Sequence, residues 1–165
     1  MITISDATVL DIGIIQTIAH QTWPVTYGEI LSKEQIVYML DKMYSDSVLK
    51  ENMTHLEHHF LLLVEDEVCQ GFASYEHHYL NRNYTRLHKL YLLPATQGKG
   101  LGKLLLEKII GLAKENKSEG ISLNVNRFNK AYTFYQKMGF EIMEEEDLAI
   151  GDGYLMEDYK MEKKL

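Results

Sequence analysis

The chain has a single cysteine, Cys69, so no intramolecular disulfide can form and a reducing compartment is expected. No apolar run approaches the length of a membrane span, and the first residues lack the basic and apolar regions of a secretory signal. The expectation is a cytoplasmic protein with no membrane partner. Positive charge is scarce: 17 Lys and Arg against 24 Asp and Glu leave a formal charge of −7. That balance argues against nucleic acid as the partner and mildly favours a cationic one. There are no repeats, low-complexity stretches or linkers, so residues 1–165 read as one domain, long enough to bury a core. Metal-site spacing is absent too. His55-x-x-His58-His59 and Glu76-His77-His78 hold ligand types without forming H-E-x-x-H. Neighbours on a strand face opposite sides, so His77 and His78 do not readily share an ion, and no metal is expected.

The stretch Leu87–Lys103 organises the rest. It begins as an apolar strand, halts at Pro94, turns through Gly98, Gly100 and Gly102, and enters a helical pattern in which Leu101, Leu105, Ile109 and Leu112 recur. A glycine-rich turn at a helix N-terminus aims free backbone N–H groups and the positive end of the helix dipole at one point. Such a turn is an anion cradle, most simply for a phosphate or pyrophosphate. It is not a P-loop, because Gly102-Lys103 is followed by Leu104 and no hydroxyl is placed for magnesium. It also fails the dinucleotide pattern G-x-G-x-x-G, since Lys103 stands where the third glycine belongs.

What remains is Gln97-x-x-Gly100-x-Gly102 after a strand and a proline, which resembles the coenzyme A pyrophosphate loop of the GNAT family of N-acetyltransferases. A second stretch, Leu123 to Phe140, is similar to the family's other signature, an asparagine and an alanine followed by Tyr-x-Lys-x-Gly-Phe with variations, here ending Phe134-Tyr135-Gln136-Lys137-Met138-Gly139-Phe140. The resemblance implies an α/β fold with a mixed, largely antiparallel seven-stranded sheet flanked by helices. Its two central parallel strands, around Leu90 and Leu123, would splay apart around the pantetheine arm of acetyl-CoA.

Taken in order, Ile2–Ile4 predicts a strand. A helix follows with Ile12, Ile15, Ile18 and Ala19 buried, capped by Asp6 or Thr8 and ended by Trp23-Pro24. Gln21–Leu31 reads as a loop carrying Trp23 and Tyr27. Ser32 to Gln35 has capping-box spacing and opens a helix with Ile36, Met39, Leu40 and Met43 on one face. Tyr44–His58 is ambiguous, with a short helix at 47–52. Strands follow at Phe60–Val64 and Val68–Tyr79, joined by a hairpin at Asp66-Glu67. The helix after the glycine loop is stopped by Gly120. A strand at Ile121–Val125, a helix at Lys130–Met138, and strands at Phe140–Glu145 and Met156–Lys163 complete the chain.

Acetyl transfer to an amine requires that the ammonium lose a proton, that an oxyanion be stabilised, and that the leaving thiolate be protonated. The resemblance assigns the last task to Tyr135. It gives the backbone of Leu90, Tyr91 and Leu92 to the pantetheine amides and the oxyanion, and the pyrophosphate to Gln97, Gly98, Lys99, Gly100, Leu101, Gly102 and Lys103. It also gives a coenzyme contact to Asn129, which here stands two rather than three residues before Ala131. Where some members carry a basic glutamate, this chain has Asn124, so the base is sought among Glu76, His77, His78 and His88. Trp23 and Tyr27, as an aromatic cap, and Glu76 and His88 are expected at the amine. The acceptor expected is a small amine. Loose similarity to bacterial polyamine acetyltransferases, in Ile30-Leu31-Ser32 and the C-terminal residues, points towards a polyamine. A protein α-amine or lysine and a non-catalytic acyl-CoA module are the alternatives, and a homodimer is compatible with the chain.

Overall fold

Alternation in the strand after His58 sorts the molecule into two cores. Phe60 and Leu62 point to one side and Leu61 and Leu63 to the other, as a pleated strand with both faces covered requires. A computed structural model describes all 165 residues. It has strands β1 (Ile2–Asp6), β2 (His59–Glu65), β3 (Val68–Glu76), β4 (Tyr84–Leu92), β5 (Gly120–Asn126), β6 (Glu141–Gly151) and β7 (Tyr154–Lys164). They form one sheet of seven strands in the order β1-β2-β3-β4-β5-β7-β6. Helices α1 (Ile12–Tyr27), α2 (Lys33–Tyr44) and α3 (Asp46–Thr54) pack on the face carrying Phe60, Leu62 and Phe72. Helices α4 (Leu101–Glu115) and α5 (Ala131–Lys137) cover the opposite face, against Leu61, Leu63, Ile121 and Leu123.

All neighbouring strands are antiparallel except β4 and β5. That parallel pair is joined only where Tyr84–Leu87 meet Gly120–Leu123. Beyond Leu87 the two strands diverge, so one backbone edge of residues 88–92 faces a gap instead of a neighbour. The β3–β4 ladder also shifts register. Ser74 pairs with Lys89 but Tyr75 pairs with Leu87, leaving His88 as the extra residue of a bulge. A bulge breaks strict alternation and re-aims side chains. The expected mixed sheet with a central splay is therefore the observed one.

Several expected boundaries move. α1 does not end at Trp23-Pro24 but runs on to Tyr27, with Pro24 inside it. An interior proline costs about 3 kcal/mol. Ile12, Ile15, Ala19, Trp23 and Tyr27 form one buried stripe, and burying a large side chain returns about 1.5–3 kcal/mol each. Two aromatics in the last turn are enough to offset the proline. α4 ends near Glu115, before Gly120. Lys117 takes the left-handed turn (φ 60°), the Ser118 N–H reaches Ala113 O at 3.0 Å, and Gly120 begins β5. Of the box at Ser32 only half forms: Ser32 Oγ accepts from the Gln35 N–H, while the Gln35 amide donates to Leu155 O at 2.8 Å and ties α2 to β7. The reciprocal box sits instead at Thr8 and Asp11, ahead of α1. The ambiguous stretch after Tyr44 holds α3, capped by Ser45. β3 stops at Glu76, three residues short of Tyr79, and the last two strands are longer than their apolar cores suggested, forming a hairpin around Asp152-Gly153.

Candidate active site

Where β4 and β5 part, a cavity of about 220 Å³ opens through the sheet. Its walls come from both cores: Trp23, Tyr27 and Met39 from one, Leu87, Leu90, Val125 and Tyr135 from the other. His88, Lys89, Asn124, Asn129 and Asp158 supply its polar groups.

Tyr135 reaches the cavity from α5 and is 7% exposed, packed edge-on against Phe134 and Phe140. Burial pushes its phenol well up, with the Tyr27 hydroxyl adding to the effect, so the proton stays on oxygen throughout the neutral range. Asn129 stands one residue before the N-cap of α5, Lys130, and its Oδ1 accepts from the Ala131 N–H at 3.0 Å, a side-chain turn that leads into the helix. The two-residue spacing to Ala131 is what this turn uses.

Trp23 and Tyr27 line the cavity, as expected of acceptor residues, but not as a loop or lid. They are 1% and 5% exposed within α1 and belong to the wall. Their rings lie 4.5 Å apart, and Tyr91 lies tilted against Trp23 with centroids 5.8 Å apart. Tyr91 Oη and Tyr27 Oη are 3.0 Å apart, so the Tyr91 side chain joins this aromatic wall while its backbone lies along the open edge of β4. Leu90 and Leu92 turn to the other core, against α4.

The bulged His88 makes a 2.9 Å contact from Nε2 to Glu76 Oε1. His58 Nε2 reaches the same oxygen at 3.2 Å, and the two imidazoles stack with centroids 4.1 Å apart. Burial pushes His88 down to about 2 and His58 down to about 4, helped by the cationic Lys89 beside them, so both rings are neutral. Burial raises the Glu76 carboxyl. His88 lines the central cavity, whereas Glu76 and His58 line a separate outer hollow with His59, His77 and His78. Glu76 is thus shared between cavity and outside through one hydrogen bond. His77 turns to Thr85 Oγ1 at 2.8 Å, and His78 lies past the end of β3 in a left-handed turn, so neither faces the cavity. His58, Glu76 and His88 offer three donor atoms within 4.8 Å of one another, a grouping of a kind that can hold a divalent ion, though the Lys89 ammonium beside them opposes one. Sequence reading missed His58 because its partners come from β3 and β4.

Asn124 is fully committed. It accepts from Arg86 Nη2 at 2.9 Å and donates to Asp158 Oδ2 at 3.2 Å and Glu146 Oε1 at 3.3 Å. It organises charge and takes no proton. Lys89 is 7% exposed, its ammonium over the rings of Tyr44 and Phe60 at 5.4 and 5.5 Å, and burial drops its pKa to about 8.

At the other end of the splay, Gln97, Gly98, Lys99, Gly100 and Lys103 are exposed, Leu101 is buried under α4, and Gly102 lies against Leu92. Gly98 and Gly100 have φ of +84° and +73°, and a Cβ built on either meets nothing within 4 Å. The loop is open in front, and the first-turn N–H groups of α4 have no partner within the helix. Lys99 and Lys103 are each held by a carboxylate, Glu65 at 3.3 Å and Glu107 at 3.9 Å, so their charge is partly spoken for.

Residues 29–163 match the model of the acetyltransferase (GNAT) domain. The chain belongs to the GNAT acetyltransferase family. It is 30% identical over 168 residues to a spermidine N(1)-acetyltransferase of Thermoplasma acidophilum, covering 99% of this chain and 97% of that one. The crystal structure of PaiA N-acetyltransferase from Thermoplasma acidophilum, in complex with coenzyme A, superposes with a TM-score of 0.83 at 28% identity, covering 100% and 99% of the two chains. A ribosomal protein bS18-alanine N-acetyltransferase of Haemophilus influenzae is 36% identical over 80 residues, 48% of this chain and 53% of that one. GNAT enzymes transfer an acyl group, so this chain is an acyltransferase, and no helix in it is long and apolar enough to cross a membrane.

Proposed function

We propose that residues 1–165 act as one N-acetyltransferase domain, transferring acetyl from acetyl-CoA to a primary amine of a small polyamine-like substrate by direct attack. The observation that carries this reading is the cavity in the gap between β4 and β5, lined by the Tyr135 phenol and by His88, which is hydrogen-bonded to Glu76 outside it. Gly98 to Lys103 would hold the pyrophosphate on the N-terminus of α4, where a side-chain-free loop and unpartnered amides fit an anion. The open edge of β4 from Leu90 to Leu92 would pair with the pantetheine amides, which answers the need of buried backbone groups for partners. Bound acetyl-CoA would supply the thioester.

The chain's own groups handle the protons. Tyr135 gives its proton to the departing sulfur. Its high pKa is no obstacle, because the burial that disfavours a phenolate also disfavours a thiolate at the same place. With Nε2–H donating to Glu76, His88 keeps a lone pair on Nδ1 and relays the proton of the acceptor ammonium: as Nδ1 takes it the Nε2 proton passes to Glu76, so no imidazolium forms on a ring that burial keeps neutral. Glu76 then releases the proton through the histidine-lined hollow. The small volume of the cavity, about 220 Å³, favours a small acceptor over a polypeptide. The single cysteine fits a cytoplasmic enzyme.

The test is release of free coenzyme A with acetyl-CoA as donor and a panel of alkylamines, di- and polyamines and alanine-leading peptides. The peptides are included because one relative is a protein alanine acetyltransferase. Turnover of polyamines with none of peptides supports the reading. Turnover of peptides alone replaces the substrate class, and no turnover with any amine removes the amine acceptor.

A further inference from the structure

Asp158 is the only carboxylate in the wall of the central cavity. It sits on β7, opposite Asn126 of β5, and is 6% exposed. Its Oδ2 accepts from the Asn124 amide, but its Oδ1 is buried without any hydrogen-bond partner. The guanidinium of Arg86 does not cancel it directly, because Asn124 stands between them and takes the Arg86 hydrogen bond itself. The cavity's other charged group, Lys89, sits over Tyr44 and Phe60, on the α2–α3 and β2 side. A buried carboxylate oxygen with no donor is costly. Here it borders a cavity large enough to admit a donor from outside.

We propose that Asp158 Oδ1 receives a second ammonium group of the acceptor, so that the cavity selects amines carrying two cations over monoamines. The inference rests on the acetyltransferase reading above. In that arrangement the reacting nitrogen lies on the β4 side, by His88, and the distal ammonium is held on the β7 side. Asn124 fixes the carboxylate through Oδ2 and leaves Oδ1 for the ligand. Glu146, bound by Asn124 and Lys160, is already neutralised and adds little.

The experiment compares 1,4-diaminobutane with n-butylamine in the full chain and in Asp158→Asn, which keeps the acceptor oxygen and removes the charge. Asp158→Glu serves as the charge-retaining control, and a thermal unfolding scan checks that each variant is folded. The expected result is a wild-type preference for the diamine of about tenfold or more in kcat/KM, the scale of one charge-assisted contact. Asp158→Asn should lose that preference through the diamine's KM, leave butylamine and the KM of acetyl-CoA nearly unchanged, and be partly restored by Asp158→Glu. Calorimetric titration of the diamine into both proteins reads the same contact without turnover. Weaker binding to Asp158→Asn supports the subsite even if neither amine is acetylated, an outcome that would count against the function and not against the subsite. An equal fall for both amines, or unchanged diamine binding in a folded Asp158→Asn, overturns it.

Discussion

Gly100 separates the proposed anion cradle from the fold. It is the residue before α4, at φ +73°, and a Cβ there meets no atom within 4 Å. In the free protein, Gly100→Val therefore creates no clash, and its cost is the strain of a left-handed L-residue, about 1–2 kcal/mol. For a chain of this length that lowers Tm by roughly 2–8 °C. The bound state differs, because the new side chain occupies the open front of the loop where a pyrophosphate would lie. Coenzyme A affinity should fall by about tenfold or more, over roughly 1.4 kcal/mol. Gly100→Asn divides the two effects. Asparagine tolerates the left-handed region, so it should recover much of the stability while still carrying a Cβ into the cradle and recovering little affinity. Gly102 would be a poorer probe, since a Cβ there comes within 3.3 Å of Leu92 Cδ1 and disturbs packing as well. Calorimetric titration with coenzyme A beside a thermal scan gives both quantities. Wild-type affinity in a folded Gly100→Val would show that the loop does not hold the coenzyme's phosphates.

Tyr135→Phe should leave acetyl-CoA affinity within a few-fold and cut turnover by about 10²–10⁴, the scale of general acid catalysis, and less so with a donor whose thiol is more acidic; unchanged turnover with chemistry rate-limiting would make Tyr135 a packing residue only. An ordinary histidine base would place the acidic limb of the rate near pH 6.5, but burial holds His88 neutral far below that. The limb should instead follow Glu76, whose carboxyl burial raises above its usual 4.5: activity is lost as pH falls and Glu76 takes a proton, and Glu76→Gln should abolish the limb along with most of the turnover. A limb that stays at 6–7 in His88→Ala would point to another base. Lys89, whose pKa falls from 10.5 to about 8 by burial, destabilises the fold by on the order of 3 kcal/mol below pH 8. The unfolded chain binds the extra proton between pH 8 and 10.5, so wild-type stability should rise through that window relative to Lys89→Met, which should melt higher at pH 7; denaturant titrations at both pH values decide it.

The chain showed the glycine loop and α5 plainly because each rests on a local pattern. Glycines after a strand and proline, and Tyr135 before Gly139-Phe140, need no distant partner to be recognised. Pro24 misled for the same reason. Local propensity ends a helix there, while the buried stripe through Trp23 and Tyr27, which depends on Phe72 and Tyr91 far along the chain, carries it on. Gly120 misled likewise, since left-handed geometry went to Lys117 at the true end of α4. The His58–Glu76–His88 group was legible only in part. Glu76 and His88 stood out as titratable residues on central strands, but His58 joins them through the β2–β3–β4 pairing, and the bulge that turns His88 towards Glu76 leaves no mark in the residue pattern. Asp158 was invisible for a further reason: it sits in a charged run of β7, and only the approach of Asn124 and the gap beside it distinguish its two oxygens.

The buried polar side chains left without a partner are His58 Nδ1, Ser74 Oγ and Asp158 Oδ1. None lies in the outer strands β1 or β6 or under α4. Ser74 pairs across to Lys89 and His58 stacks on His88, so both adjoin the bulged part of β4, while Asp158 lines the central cavity from β7. Each carries a desolvation cost of about 1–3 kcal/mol that a core built only for stability would have removed with an apolar residue. The open backbone edge of β4 adds a further unmet demand. Costs of this kind, at Asp158 in the gap and at His58 and Ser74 beside β4, are what a site requires if its hydrogen bonds are to be completed by substrates and not by the chain. The widening of the sheet beyond Leu87 is therefore more than a defect in pairing. It sets a pre-formed, partly unsatisfied polar surface against two well-packed cores that keep it from collapsing.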